Sequence, residues 1–214
     1  WQDVLTAESA NIDLALDALH DAGRAAEALD MATALWRHWY IRGRFAAGRS
    51  LLERCLAAFD DGTPPSTEAQ ANALFGAGTL ATFQGDFAVA QADLEQSISL
   101  WRTLGDTLGE ARTLNGLASV HQRLDHYDAA HAAWTRCMEL LANADQPLAV
   151  ATVRYNLAAV HEVRCELAQA RAQTEACMRE FDRLGHRHGV AHCMLLLGIL
   201  SVHQGDVTGS RHWF

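Results

Sequence analysis

The chain has 214 residues, of which 50% are hydrophobic and only 7% aromatic, and it carries a net charge of -9. This acidic balance excludes a surface that neutralises nucleic-acid phosphates, because such a surface needs clustered cations. The sequence contains no lysine, which excludes a Walker A phosphate loop, and no apolar run reaches the roughly 18 residues that a membrane span requires.

The cysteine pattern points to a reducing compartment. The five cysteines are an odd number and no two of them have a C-x-x-C spacing, so neither a disulfide framework nor a four-cysteine zinc site is expected. We therefore predict a cytoplasmic protein without metal or cofactor.

Residues 1–23 are predicted to form a linking or capping helix ahead of the main array. The run that starts at Glu8 has helical character and ends near His20. The sequence begins at Trp1, not at methionine, and stops at Phe214 inside a helical pattern, so we expect a piece of a longer protein.

A turn signature recurs five times in the rest of the chain. Each copy has a glycine or polar residue, an aromatic or aliphatic residue two positions later, and a small residue three positions further on. The copies begin at nearly constant intervals, at Gly43, Gly85, Asp125, Cys165 and Gly205. Residues 24–214 are therefore predicted to form five helix-pair repeats of about 40 residues, the last one truncated.

Helix starts are marked by capping signals. Thr67 with Gln70 and Thr107 with Glu110 have the spacing of a capping box, and Pro147 suits a first helical turn. A second marker places a small residue at positions 109, 149 and 189, where one repeat ends and the next begins.

These features resemble the tetratricopeptide repeat (TPR) family, in which small residues recur in both helices around a Gly-x-Phe/Tyr turn. The resemblance implies an all-α solenoid, a right-handed superhelix of antiparallel helix pairs with about eleven helices. The period of about 40 residues exceeds the roughly 34 residues of the usual repeat, so either the helices or the links are longer. HEAT and armadillo arrays have similar periods and are the alternative, which the Gly-Asp-Phe turn at residues 85–87 disfavours.

A second resemblance concerns residues 1–60. The Trp-x-x-Trp-Tyr run ending at Tyr40 and the Gly-Arg-x-Leu-Leu-Glu run from Gly48 are similar to the region that follows the ATPase module in large bacterial signal-transduction ATPases. That group includes MalT-like, LuxR-type and AfsR-type regulators. The resemblance implies the sensor or regulatory segment of a larger signalling or transcription-regulator protein.

In a solenoid of this kind, one side of each first helix faces the inner curve, where a partner would bind. Arginines, amides and aromatic rings on that side suit a protein or peptide partner, or a small effector. The alternative is a merely solvated face. The predicted groove residues are Arg37, Tyr40, Asn72, Phe75, Phe83, Arg112, Asn115, Gln122, Arg123, Tyr155, Glu162 and His192.

Three other patterns favour packing over chemistry. The histidines at 186, 188 and 192 beside Cys193 lack a second ligand cluster, and the H-E pair at His161 lacks the second histidine of a zinc protease. Cys55, Cys137 and Cys177 share one repeat position with Ser97, as expected of a small-residue packing slot.

We therefore predict that the chain is not an enzyme. The alternative functions are a passive assembly scaffold and, less favoured, a metal-dependent enzyme. A homodimer through the open C-terminal end is also expected.

Overall fold

The computed structural model describes residues 2–59, 65–211 and 213, and in this part of the chain every regular element is a helix. There are twelve helices there, one more than predicted, because the N-terminal segment is two helices that meet at Glu8. Their bounds are α1 (Gln2–Ala7), α2 (Ser9–Asp21), α3 (Ala25–Ile41), α4 (Phe45–Ala57), α5 (Thr67–Gln84), α6 (Phe87–Leu104), α7 (Thr107–Arg123), α8 (Tyr127–Leu141), α9 (Pro147–Val163), α10 (Leu167–Arg183), α11 (Arg187–His203) and α12 (Val207–Ser210).

The helices divide into two compact units, Trp1–Val120 and His121–Phe214. In unit 1, α3 packs on α4 and α5 packs on α6, while α3 also contacts α5. In unit 2, α9 packs on α10 and α10 on α11, while α9 also contacts α11. Within each unit, therefore, a helix pairs with its neighbour in sequence and also contacts the first helix of the following pair.

The long period comes from the helices and not from the links. Most of the helices have 17 or 18 residues. The links beside them are short: residues 85–86 join α5 to α6, and residues 164–166 join α9 to α10. The one longer link described, residues 142–146, precedes α9. Of the helices in the described part of the chain, none is both long enough and apolar enough to cross a bilayer.

Two predicted capping boxes are wrong by one residue. Ser66, not Thr67, caps α5, and its hydroxyl oxygen accepts the Ala69 N–H at 3.2 Å. Asp106, not Thr107, caps α7, and its Oδ1 accepts the Gly109 N–H at 2.9 Å. In both cases the threonine is already helical, so the residue before it is the one that can turn its side chain back onto the first turn. Pro147 is the first residue of α9, as predicted.

Small residues at the repeat junctions make room for aromatic rings. A Cβ added at Gly109 would lie 2.7 Å from Cε3 of Trp101, and one added at Gly189 would lie 2.5 Å from Cδ1 of Phe181. At the intermediate junction a leucine, Leu141, stands in place of the aromatic residue, and alanine replaces glycine at position 149. The size of the junction residue thus varies inversely with the side chain that ends the preceding helix.

The four residues of the predicted packing slot are all buried. Cys55, Cys137 and Cys177 keep 5% or less of their surface, and Ser97 keeps none. The hydroxyl of Ser97 donates to the Ala71 carbonyl at 2.8 Å, so its polar group is satisfied. A buried thiol needs no such partner, so either cysteine or a hydrogen-bonded serine can fill this position.

The motif residues of the regulator resemblance have a packing role. Trp39 is buried, and a Cβ added at Gly48 would lie 2.8 Å from the Trp39 Cβ. Leu51 and Leu52 belong to the same buried cluster. Close contact between α3 and α4 therefore accounts for the glycine and both leucines.

Candidate interaction surface

In unit 1 the predicted groove residues lie on the first helices of three consecutive pairs. Arg37 and Tyr40 are on α3, while Arg112 and Asn115 are on α7. The three residues from α5 are Asn72, Phe75 and Phe83.

Aromatic rings from α3, the start of α4 and α5 touch one another in a continuous row, which we name the aromatic strip. Its members are Trp36, Tyr40, Phe45, Phe75 and Phe83. The Trp36 and Phe75 rings meet edge to face at 5.4 Å between centroids, and the Tyr40 and Phe83 rings do so at 4.8 Å. These are favourable aromatic geometries. Phe83 keeps 41% of its surface exposed, so the strip has an open end.

Arg112 lies at the other end of the strip. Its guanidinium carbon is 4.6 Å from the centroid of Phe75 and 5.7 Å from that of Trp101, and Nη2 donates to Asn72 Oδ1 at 2.7 Å. Burial lowers the pKa of the guanidinium below its usual value, and the charge of Arg37 lowers it further. The group stays protonated, because a guanidinium does not lose its proton in proteins. The stacking and the hydrogen bond hold it in one orientation.

Phe75 has a supporting position. It keeps only 8% of its surface exposed, since Trp36 packs against it edge to face and Arg112 lies over its ring. It therefore orients Arg112 and offers little area to a ligand.

In unit 2 the predicted residues form two smaller groups. The rings of Tyr155 on α9 and His192 on α11 lie 6.0 Å apart. Oε1 of Glu162, on α9, is 3.1 Å from the Nδ1 of His203 at the end of α11. Gln122, half-buried, and Arg123, exposed, lie at the end of α7.

The histidine-rich segment at the start of α11 is dispersed. His186 caps the helix, with Nδ1 accepting the Gly189 N–H at 3.0 Å, whereas His188 and His192 are exposed and Cys193 is buried. Among the described residues, no three His, Cys, Asp or Glu side chains are placed to hold a metal ion.

His161 has a structural environment. It is buried, and its Nδ1 forms a hydrogen bond with the carboxylate of Glu166. Its Nε2 lies 3.0 Å from the amide nitrogen of Gln169. The ring of His131 packs edge to face on it. His161 thus links the end of α9 to the start of α10.

Buried thiols in this fold are poor nucleophiles. Burial raises the pKa of Cys137 and Cys177 to about 11 and that of Cys193 to about 12. Since the thiolate is the reactive form, these groups are inert at neutral pH. Cys165, in the turn before α10, is exposed.

Sequence reasoning missed three aromatic residues of this surface: Trp36, Phe45 and Trp101. Trp36 precedes the predicted Arg37 by one position but was not among the predicted groove residues. Phe45 begins a second helix, and Trp101 lies in the last turn of one. Their ring contacts involve residues on other helices, which periodicity along one helix does not reveal.

Comparison with known proteins agrees with this architecture. A sequence profile of the tetratricopeptide repeat family matches residues 69–143. No curated protein matches the chain in sequence.

Several solved structures share the fold. BtubC from P. vanneervenii superposes with a TM-score of 0.76 at 17% identity, covering 98% of this chain and 86% of that one. The Rap conjugation gene regulator of plasmid pLS20, solved in complex with the Phr* peptide, gives 0.69 at 10% identity, covering 86% of this chain and 51% of that one.

YrrB, described as a TPR protein with an unusual peptide-binding site, gives a TM-score of 0.56 at 15% identity, covering 92% of this chain and 87% of that one. Together these likenesses establish the helix-pair repeat fold, and the all-α prediction is confirmed. At such identities they establish the fold alone.

Proposed function

We propose that the chain is a protein- or peptide-binding module. Its partner docks on the surface formed by α3, α5 and α7, the first helices of the three pairs in unit 1. The aromatic strip is the observation that carries this proposal. The strip has the exposed Phe83 ring at one end, packed rings along its length and the oriented guanidinium of Arg112 at the other end. Aromatic and arginine side chains are the residue types that contribute most of the binding energy at interfaces.

Two of the structural neighbours are described with a peptide or a peptide-binding site. This supports a peptide as the partner, although the neighbours share only the fold with this chain. An extended segment is favoured over a small effector, because the strip crosses α3, α4 and α5 and ends at the exposed ring of Phe83.

The regulatory setting is the sensor segment of a larger bacterial signalling or transcription-regulator protein, in the cytoplasm. It rests on the resemblance of residues 1–60, in which the motif residues pack α3 on α4. Five free cysteines support a reducing compartment. An ATPase module and a helix-turn-helix domain in the same reading frame would support this setting, and their absence would favour a passive scaffold.

The non-catalytic character of the module is likewise a proposal. The inert buried thiols support it.

A homodimer through α11 and α12 would rest on the exposed Leu195 and Val202, each 50% accessible. Sedimentation analysis at several concentrations tests it, and a monomer throughout would exclude it.

Peptide display on the purified chain tests the binding proposal. A random 12-residue library is selected against the wild type and against a Tyr40→Ala, Phe83→Ala double variant. We expect enriched peptides with the wild type and at least tenfold weaker binding of those peptides to the double variant, because both rings of one contact are gone.

The matched control is Leu104→Ala, which removes a side chain of similar exposure, 46%, from the end of α6. It should bind the selected peptides as the wild type does. Equal binding of the peptides to all three proteins would refute the assignment of the surface, and no enrichment at all would refute peptide binding.

A further inference from the structure

We propose that the chain associates head to tail, so that α2 of one copy docks on α11 of a second copy. The docking surface on α11 is the side that carries Ala191 and Met194, which we name the open side. The contact is separate from the proposed docking of a peptide, because α2 contributes no residue to the aromatic strip.

The open side is a helix-packing surface that no helix covers in the described chain. Alanine occupies one place at intervals of 40 residues, near the starts of α5, α7, α9 and α11. Three of these alanines are buried, with exposed fractions of 0%, 1% and 0% for Ala71, Ala111 and Ala151. Ala191, the fourth, is exposed.

The second helix of a pair covers this alanine in the earlier repeats. Ser97 of α6 donates a hydrogen bond to the Ala71 carbonyl at 2.8 Å, and Cys177 and Phe181 of α10 cluster with Ala151. The covering helix is antiparallel, because Ser97 lies in the C-terminal half of α6 and Ala71 near the start of α5. After α11, the helix in the described part of the chain is α12, which has only four residues.

A pocket of about 260 Å³ lies on the open side. Its lining residues come from the end of α10, the link that follows and the first half of α11: Asp182, Gly185, Arg187, Val190, Ala191 and Met194. The apolar part of this lining suits a bulky aliphatic side chain from a second helix, with Arg187 available to an acidic neighbour of that side chain.

α2 offers such a side chain on the side that faces away from its own unit. Ile12 and Leu16 are buried in the core of unit 1, whereas Leu14, on the opposite side of the helix, is 68% exposed. Ala10 and Ala18 lie one turn before and one turn after Leu14, and both are exposed. Small residues on either side of a bulky one allow two helices to approach closely.

The charges of the two helices are complementary. α2 carries three aspartates and no arginine, whereas α11 carries one arginine, three histidines and no acidic residue. Neither Asp21 nor Arg187 forms a salt bridge within the residues that the structure describes. Opposite charges on two protein surfaces favour their encounter and fix their register.

The spacing of these residues allows both contacts at once. Leu14 and Asp21 are seven positions apart on α2, and Arg187 and Met194 are seven positions apart on α11. Seven residues are close to two helical turns, so each pair lies on one side of its helix. In an antiparallel contact, Leu14 therefore packs beside Met194 while Asp21 pairs with Arg187.

The contact joins two unlike surfaces, and each copy carries both of them. Association of this kind can continue from copy to copy, unlike a dimer that pairs two α11 helices. One helix on one helix buries less area than a stable interface needs, so we expect weak and reversible assembly.

Sedimentation velocity on two blocked variants tests the inference. Leu14→Arg places a cation opposite Arg187 and removes the aliphatic side chain, and Ala191→Glu places a bulky anion opposite the aspartates of α2. The wild type should form larger species as its concentration rises from about 20 to about 500 µM, as expected for a small interface. Each variant alone should remain monomeric over this range.

An equimolar mixture of the two variants should form a dimer and nothing larger. Leu14→Arg keeps an intact open side and Ala191→Glu keeps an intact α2, so one productive contact remains between them. The matched control is Leu108→Arg on α7, where the leucine is 44% exposed, and it should assemble as the wild type does.

Charge reversal tests the ion pair separately. Asp21→Arg and Arg187→Asp should each weaken association about fivefold, because like charges then meet at an exposed contact. The double variant should recover the wild-type association to within about twofold, since the reversed charges attract again between copies. Both positions are exposed, so the variants should fold normally.

Four results would overturn the inference: a monomeric wild type at every concentration, assembly by Leu14→Arg alone, no dimer in the mixture, or no recovery by the double variant. Loss of assembly in Ala191→Glu but not in Leu14→Arg would instead indicate pairing of two α11 surfaces. Peptide selection on the aromatic strip is a separate measurement, so either proposal can fail while the other stands.

Discussion

Glycine at position 109 stands where the Trp101 ring leaves no space for a methyl group. The ring is 2% exposed and cannot move away without opening the contact between α6 and α7. Overpacking of this kind costs about 1–3 kcal/mol, and the helix propensity gained by removing a glycine returns up to about 1 kcal/mol.

We therefore expect Gly109→Ala to lower the free energy of unfolding by about 1–2 kcal/mol. Urea denaturation followed by circular dichroism measures this. Gly116→Ala on the same helix is the control, because a Cβ there would lie 3.4 Å from Leu94, an ordinary contact. Destabilisation of both variants to the same extent would show that the Trp101 contact is not the cause.

Asp93 on α6 is a residue whose charge opposes folding. Burial raises the pKa of its carboxyl to about 6, the charge of Glu53 adds to the rise, and its Oδ2 is buried without a hydrogen-bond partner in the described structure. Because the folded pKa is above the unfolded value near 4, the folded state binds the proton more tightly. Stability is therefore full in acid and is lost as pH rises from about 4 to 6.

Asp93→Asn should remove this pH dependence and stabilise the protein at pH 7 by about 1–3 kcal/mol, since the amide is uncharged throughout. Unfolding free energies at pH 4.5 and 7 measure the effect, with the exposed Asp182→Asn as control. A gain as large at pH 4.5 as at pH 7 would contradict the role of the charge.

At the scale of elements, helix starts depend on single capping side chains. His186 caps α11 at the position equivalent to Asp106, two repeats earlier, and both accept the N–H of a glycine three positions later. His186→Ala should cost about 1 kcal/mol, the usual loss for an N-cap. His186→Asp should retain the wild-type stability, which thermal melts at neutral pH would check.

The link before α10 holds Cys165 in the left-handed region, with φ of 61°. Glycine occupies the equivalent positions 43, 85 and 205. Relief of the steric cost, about 1 kcal/mol, should outweigh the added freedom of the unfolded chain, so Cys165→Gly should stabilise by roughly 0.5 kcal/mol.

Asp125→Gly is the informative comparison for that prediction. Asp125 also has positive φ, 59°, but it accepts a hydrogen bond from the Tyr127 hydroxyl at 2.6 Å. We expect a smaller gain there, because glycine removes the bond. Parallel denaturation curves decide, and a greater stabilisation at 125 than at 165 would count against this account.

Elements were predictable because their signals are local. The constant register of the turn signature located the turns, and the helical period located the buried sides of the helices. The caps of α5 and α7 were misassigned because two capping residue types stand side by side, and only backbone geometry selects between them. Three members of the aromatic strip, Tyr40, Phe75 and Phe83, were among the predicted groove residues. The approach of Arg37 to Arg112 was not predictable, because it depends on tertiary packing.

For the whole molecule, we expect one of the five cysteines to react with an alkylating agent in the native state and the other four to remain unmodified. Only Cys165 is exposed, and burial raises the pKa of the other four. Iodoacetamide at pH 7.5 should modify one site per native chain and five in denaturant, as read by mass spectrometry. Cys165→Gly should show none when native, and fast labelling of any other cysteine would indicate local opening.

The length of the link at 142–146 sets it apart from the shorter links at 85–86 and 164–166. In a short link, an inserted residue could not be accommodated in the loop and would displace the following helix from its packed position. The longer link is exposed over most of its length, so it forms a surface loop that is longer than the connection between α8 and α9 requires. A fluorescent protein or an affinity tag spliced after Asn143 would therefore hang outside unit 2 while its helices keep their places.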